Sequence, residues 1–276
     1  LAGERHHDRL RRGDRARLSA EPGAGQGQRG GRSGAVLIGA TLTDIRTVAE
    51  TGSTNADLIA LAGEGAAEGS WLRALRQTGG RGRMGRAWES PDGNLHCSTL
   101  VRVRPGDPIA PTLALVAAVA VHAVVAPLCA GQARIKWPND IMVGDAKLSG
   151  MLLERTGDAV VIGIGVNVTG APSGLDRPVT SLWAQGGVDA EAGALLTRLS
   201  EIFAHWLGIW RAQGIAPVRA HWLANAHPAG TPLRVTLPDG SIVEGAFSTL
   251  DEMGALILRL ANGDTRAIHA GDVFLI

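Results

Sequence analysis

Apolar and polar positions along the chain change their period several times, and each change marks an element. Residues 47–51 and 71–75 carry the short β-rich runs of strands, and residues 94–103 continue a sheet. Between the first two, residues 56–62 recur with helical spacing, and Ser53 or Thr54 supplies an N-cap hydroxyl. Residues 109–125 are rich in alanine and valine but interrupted by Pro111 and His122, which predicts a buried helix rather than a membrane span. Residues 134–143 read as strand, turn and strand across Pro138. A further hairpin arm follows at 146–154, and a central strand at 159–168. Helical periods return at 189–213 and 217–226.

From about residue 228 the pattern shifts to short β-runs at near-even spacing, with Pro238-Asp239-Gly240 and Asn262-Gly263-Asp264 as hairpin turns. That predicts a small antiparallel barrel. The expected organisation is therefore an N-terminal segment over 1–34, a main α+β domain over 35–227, and a C-terminal barrel over 228–276.

Composition changes the picture mainly at the start. Residues 1–34 hold eight arginines against four carboxylates and almost no large apolar side chains. Such a segment buries too little surface to offset chain entropy and is expected to be disordered. It lacks the apolar core of a helix-turn-helix and the apolar run of a secretory signal. Its composition, with no initiating methionine, suggests non-native or misassigned upstream sequence. The net charge of +1 over 276 residues gives no overall pull towards nucleic acid. Two cysteines without metal-ligand spacing point to a reducing compartment, so a cytoplasmic protein is expected.

The densest candidate chemistry lies between Arg76 and Trp88. Gly79, Gly80, Gly82 and Gly85 permit close backbone approach, and Arg81, Arg83 and Arg86 interleave with them as forks for phosphate or carboxylate oxygens. Gly80-x-Gly82-x-x-Gly85 formally matches a dinucleotide fingerprint, but Pro91-Asp92-Gly93 brings a turn where that fingerprint needs a helix. An anion-binding loop that folds over a ligand fits better, with a basic surface loop as the bland alternative.

The chain has 27 lysines and arginines, and Lys136 and Lys147 are its only lysines. In so arginine-biased a chain, two lysines flanking Trp137-Pro138-Asn139-Asp140 suggest sites that need a compact ammonium on a thin stem. Asn139 and Asp140 sit where an amide and a carboxylate can face a metal-bound phosphate, and magnesium asks for no more than one or two carboxylates.

Together these stretches resemble the biotin–protein ligases. The matching pieces are Gly52-Ser53-Thr54-Asn55, Gln77 with Gly80 to Trp88, Lys136 to Asp140, Lys147 to Glu154, Gly163 to Val168, and Gly254-Ala255-Leu256. The resemblance implies a class II aminoacyl-tRNA synthetase-like catalytic domain with a mixed sheet and a small SH3-like C-terminal barrel. It also implies ATP, Mg2+ and biotin as ligands. Biotin is activated as biotinyl-5′-AMP and then passed to a lysine of a biotin carboxyl carrier protein of acetyl-CoA carboxylase or a related carboxylase.

By the same resemblance, Arg81, Arg83 and Lys147 are catalytic. Ser53, Thr54, Asn55, Gln77, Gly80 and Gly150 join them in holding biotin. Arg83, Arg86, Trp88, Asn139, Asp140, Lys147 and Asn167 serve ATP, with Asp140 at the metal. Residues 1–46 cannot form the winged helix-turn-helix of repressor members, so DNA binding is not expected, nor is a membrane partner; a homodimer stays open. Met84 stands where many members carry a basic or polar residue. The alternatives are a lipoate-type adenylating ligase and a non-catalytic ligand- or DNA-binding module.

Overall fold

A computed structural model describes residues 44–175 and 177–276. The expected disordered segment over 1–34 and the first residues of the 35–227 domain lie outside the described residues.

Seven strands form one mixed sheet. They are β1 (Ile45–Thr51), β2 (Trp71–Gln77), β3 (Leu95–Arg102), β4 (Ala133–Lys136), β5 (Asp140–Val143), β6 (Ala146–Thr156) and β7 (Ala159–Val166), in the spatial order β1-β2-β3-β7-β6-β5-β4. Only β1 and β2 run parallel, joined by the crossover helix α1 (Thr54–Gly63); the other pairs are antiparallel.

Alternation along β3 divides the two faces. Leu95, Cys97 and Val101 point into the main core, beneath α2 (Leu113–Val125), α3 (Ala192–Gln213) and α4 (Ile215–Ala224). Leu100, with Val161 of β7, faces Leu58 and Ala62 of α1. Nearly all of α2 is buried against both sheet and helices, which accounts for a helix hydrophobic all round. With its flanking 3-10 turns it passes the length and hydropathy test for a membrane span, but 72% of that window is inside the protein.

Helix α3 starts at Ala192, three residues later than its periodicity suggests, because Glu191 caps it by accepting from the amides of Gly193 and Ala194. Helix α4 starts at Ile215 and places Pro217 in its first turn, where a missing N–H costs nothing.

The C-terminal strands are β8 (Pro232–Thr236), β9 (Ile242–Leu250), β10 (Leu256–Arg259), β11 (Thr265–Ile268) and β12 (Asp272–Leu275). They form a five-stranded antiparallel sheet in the order β11-β10-β9-β8-β12. The sheet packs onto the main unit through Phe247, which meets Trp222 edge-on with ring centroids 6.3 Å apart. Trp137 adds a second tie by donating its indole N–H to the carbonyl of Gly254 at 3.0 Å.

Candidate functional site

A cavity of about 300 Å3 opens where α1 begins, β2 ends and β12 crosses the edge of the main sheet. Its floor is the sheet itself. Gly150 of β6 and Gly165 of β7 have no side chains there, and the indole of Trp88 lies over both. A Cβ on Gly165 would stand 2.5 Å from that ring, and one on Gly150 would stand 3.2 Å from it and 2.8 Å from the Lys147 ammonium. These are close approaches that only glycine permits.

One wall is a hydrogen-bonded chain of small polar groups. Ser53 caps α1 through its side chain, and the next two residues, Thr54 and Asn55, are buried in the first turn. The backbone N–H of Thr54 donates to Gln77 Oε1 at 2.9 Å, and Gln77 Nε2 reaches Ser90 Oγ at 3.2 Å. Asn55 Nδ2 donates to Glu154 Oε2 at 2.7 Å. Ser98 Oγ on β3 stands 2.7 Å from Thr54 Oγ1 and 2.6 Å from Asn55 Oδ1.

The opposite side is charged. Asp140, at the start of β5, is buried between two ammonium groups, with Lys136 Nζ at 3.3 Å from Oδ2 and Lys147 Nζ in direct ion-pair contact with Oδ1. Burial pushes the Asp140 carboxyl up, but the charges of Lys147 and Lys136 and the Lys147 hydrogen bond outweigh it and hold the group below its usual value. Burial pulls Lys147 down, with Asp140 opposing. The cavity side of Lys147 faces Trp88 at 5.5 Å from the ring centroid, a cation–π distance.

The glycine–arginine loop makes the lid. Arg83 donates to the carbonyl of Gly271 at 3.1 Å, and Arg86 reaches Asp272 Oδ1 at 2.7 Å, so the C-terminal sheet anchors it. Met84 sits in the left-handed region at φ 56° with its side chain exposed.

Twelve of the residues singled out from sequence line this one cavity: Ser53, Thr54, Asn55, Gln77, Arg81, Arg83, Arg86, Trp88, Asn139, Asp140, Lys147 and Gly150. Two do not. Gly80 lies at the base of the loop, where a Cβ would collide with the Trp88 carbonyl at 2.5 Å. Asn167, expected on the nucleotide side, is buried behind the wall and donates to the Thr180 carbonyl at 2.9 Å, a pin for the 178–182 segment.

Both carboxylate oxygens of Asp140, expected at the metal, are engaged by lysines here, and no cluster of three or more metal-ligating side chains occurs among the described residues.

Sequence reasoning missed Asp272, Arg177 and the Val273–Leu275 stretch, all on the cavity wall. An aspartate in a short β-run and a lone loop arginine carry no local signal; docking of the C-terminal sheet brings in Asp272 and Val273–Leu275, and the loop after β7 brings in Arg177.

A wall of amide and hydroxyl groups facing a cluster of cations suits a small polar acid brought against a nucleotide phosphate. That is the chemistry of the wider class of cofactor-attaching ligases, and residues 65–167 match the biotin/lipoate A/B protein ligase family. Residues 230–276 match the biotin protein ligase C terminal domain.

The chain is 37% identical over 240 residues to the biotin–[acetyl-CoA-carboxylase] ligase of Paracoccus denitrificans, covering 82% of this chain and 98% of that one. It is 38% identical over 233 residues to the enzyme of the same name from Mycobacterium tuberculosis, covering 82% and 86%. Among solved structures, the biotin protein ligase of Aquifex aeolicus in complex with biotin and ATP superposes with a TM-score of 0.76 at 24% identity, over 84% of this chain and 99% of that one. The chain belongs to the biotin–protein ligase family.

Proposed function

We propose that this protein is an ATP-dependent biotin–protein ligase that modifies a carrier domain of acetyl-CoA carboxylase or a related carboxylase. The observation that carries the reading is the meeting, in one cavity, of the Ser53–Thr54–Asn55–Gln77 wall with Lys147 and the arginine loop. In the first step a biotin carboxylate oxygen bonds to the α-phosphorus of ATP and the α–β bridge bond breaks, giving biotinyl-5′-AMP and pyrophosphate. In the second, a neutral lysine amine of the carrier attacks the acyl carbon; the C–O bond to AMP breaks, and the amine's proton leaves to solvent.

Each residue has a task in that sequence. Lys147, held against Asp140 as an ammonium, faces the carboxylate and the α-phosphate and offsets the charge that develops between them. Arg81 and Arg83 approach the same oxygens from the loop, and Arg86 with Trp88 covers the nucleotide. Asn139 is fixed by a hydrogen bond to the Met151 carbonyl and holds Asp140 in line. The closed loop keeps water from the mixed anhydride. Magnesium would arrive on the phosphates of ATP, with Asp140 serving the lysines rather than the ion.

We also read the main unit as class II synthetase-related and the five-stranded sheet as an SH3-like barrel, divided near residue 228. The protein is placed in the cytoplasm, where its two free, buried cysteines would stay reduced.

Biotin and lipoate in direct competition for pyrophosphate release separate this reading from the lipoate-type alternative. Biotin should dominate; preferential turnover of lipoate would overturn the substrate assignment.

A further inference from the structure

We infer that Ser98, which is wholly buried and does not line the cavity, is a positioning residue that sets the direction of hydrogen bonding in the pocket that receives the biotin head group. The inference rests on the ligase reading and deepens it.

The argument is a count of protons. Asn55 Nδ2 lies 2.7 Å from the Glu154 carboxylate and 3.4 Å from the Leu152 carbonyl, and both can only accept. That fixes Asn55 with its Oδ1 turned towards Ser98, 2.6 Å away. An amide oxygen accepts only, and a serine hydroxyl has one proton, so Ser98 gives that proton to Asn55. Its remaining short contact, to Thr54 Oγ1 at 2.7 Å, then requires Thr54 to donate and Ser98 to accept.

Thr54 therefore has no proton left for Gln77 Oε1, which takes the Thr54 backbone N–H instead. The Thr54 hydroxyl faces the cavity with its lone pairs. Its neighbours carry the opposite sense: Ser53 Oγ accepts from the Ala56 amide and keeps its proton, and Gln77 Nε2 has a second N–H beyond the one on Ser90. The wall thus presents an acceptor beside donors. A ureido ring, with a carbonyl flanked by two N–H groups, needs both, whereas the dithiolane ring of lipoate offers neither group.

Two features of the fold hold this arrangement. Ser98 and Asn55 are each on rigid elements, β3 and the first turn of α1, and Ser98 is wholly buried. Gly163 on β7 leaves the space that the Asn55 amide fills. Removing the Ser98 hydroxyl leaves Asn55 Oδ1 without a donor. It also frees the Thr54 proton to swing to Gln77 Oε1, 3.1 Å away, which changes what the wall shows to the ligand.

The test is steady-state pyrophosphate release by the full chain, with Ser98→Ala, Thr54→Val and the double variant, and thermal melts on each. Ser98→Ala should raise the KM for biotin by about tenfold, as expected for a lost hydrogen bond in a buried relay, with kcat and the KM for ATP within about twofold of wild type. In the Thr54→Val background the same change should have little further effect on the biotin KM, because Ser98 acts through Thr54. Should Ser98→Ala fail to fold, Ser98→Cys keeps the volume with a feeble donor and should give a smaller rise in the same constant.

An unchanged biotin KM in the folded Ser98 variant would overturn the inference while leaving the ligase reading intact, as would a full effect in the Thr54→Val background. A wild type that releases no pyrophosphate with biotin would remove the ligase reading itself, and the inference with it.

Discussion

At the residue scale, the buried Lys147–Asp140 pair concentrates the chemistry. Lys147→Ala removes the charge that meets two anions and strands Asp140 beside Lys136 alone. Adenylate formation should fall by about three orders of magnitude, the scale of losing an electrostatic contact made at the transition state, while biotin binding by calorimetry changes far less. Comparable losses in both would show that the lysine serves ground-state binding.

The glycine floor gives a second residue-scale outcome. Gly165→Ala would put a methyl 2.5 Å from the Trp88 indole. Overpacking of that kind costs about 1–3 kcal/mol, visible in urea unfolding, and the displaced indole should slow adenylate formation as well. Much of this chemistry was legible in the residues themselves, since two lysines in an arginine-rich chain and glycines among arginines are unusual enough to draw attention. Ser98 was not: a serine within a β-run carries no signal until the fold sets it against Thr54 and Asn55.

At the scale of elements, α1 and the loop behave differently. The N-terminus of α1 is both capped and functional, so Ser53→Ala should cost about 1 kcal/mol of stability from the lost cap and weaken biotin binding as well. The loop is held by Arg83 and Arg86 on the C-terminal sheet, through pairs that are partly exposed and individually weak. Asp272→Asn should therefore speed tryptic cleavage between Arg81 and Arg86 in the ligand-free protein, by up to about fivefold for an interaction of that size. An unchanged cleavage rate would show that Asp272 does not secure the loop.

Periodicity located most of these elements to within a few residues. It could not reveal that β1 and β2 run parallel, because pairing direction depends on the crossover helix rather than on either strand's pattern. Nor could it show that β12 forms part of the cavity wall, since that contact joins segments more than a hundred residues apart.

For the whole molecule, burial of histidine sets a pH response. His96, His122, His221 and His227 all have values lowered from 6.5, each chiefly by burial. For a base lowered in the folded state, the unfolded chain takes up protons first as pH falls. The stability these neutral histidines allow is therefore fully present above about 6.5 and is lost as pH drops from there through their lowered folded values. The melting temperature should be flat from pH 8 to 7 and decline steadily between 6.5 and 5. The Asp140 carboxyl does not contribute in that window, because its partners hold it below its ordinary carboxylate value. A melting temperature that rises on acidification would contradict the assignment of these histidines as neutral in the folded protein.

The central claim is that one cavity activates biotin with ATP and that the product is passed to a carboxylase carrier. The most direct measurement follows pyrophosphate release from ATP with and without biotin, then adds a purified biotin carboxyl carrier domain and reads the mass of its acceptor lysine. The account predicts biotin-dependent release and a carrier heavier by one biotinyl group. Biotin binding with no pyrophosphate release would contradict it and leave a binding protein in place of a ligase.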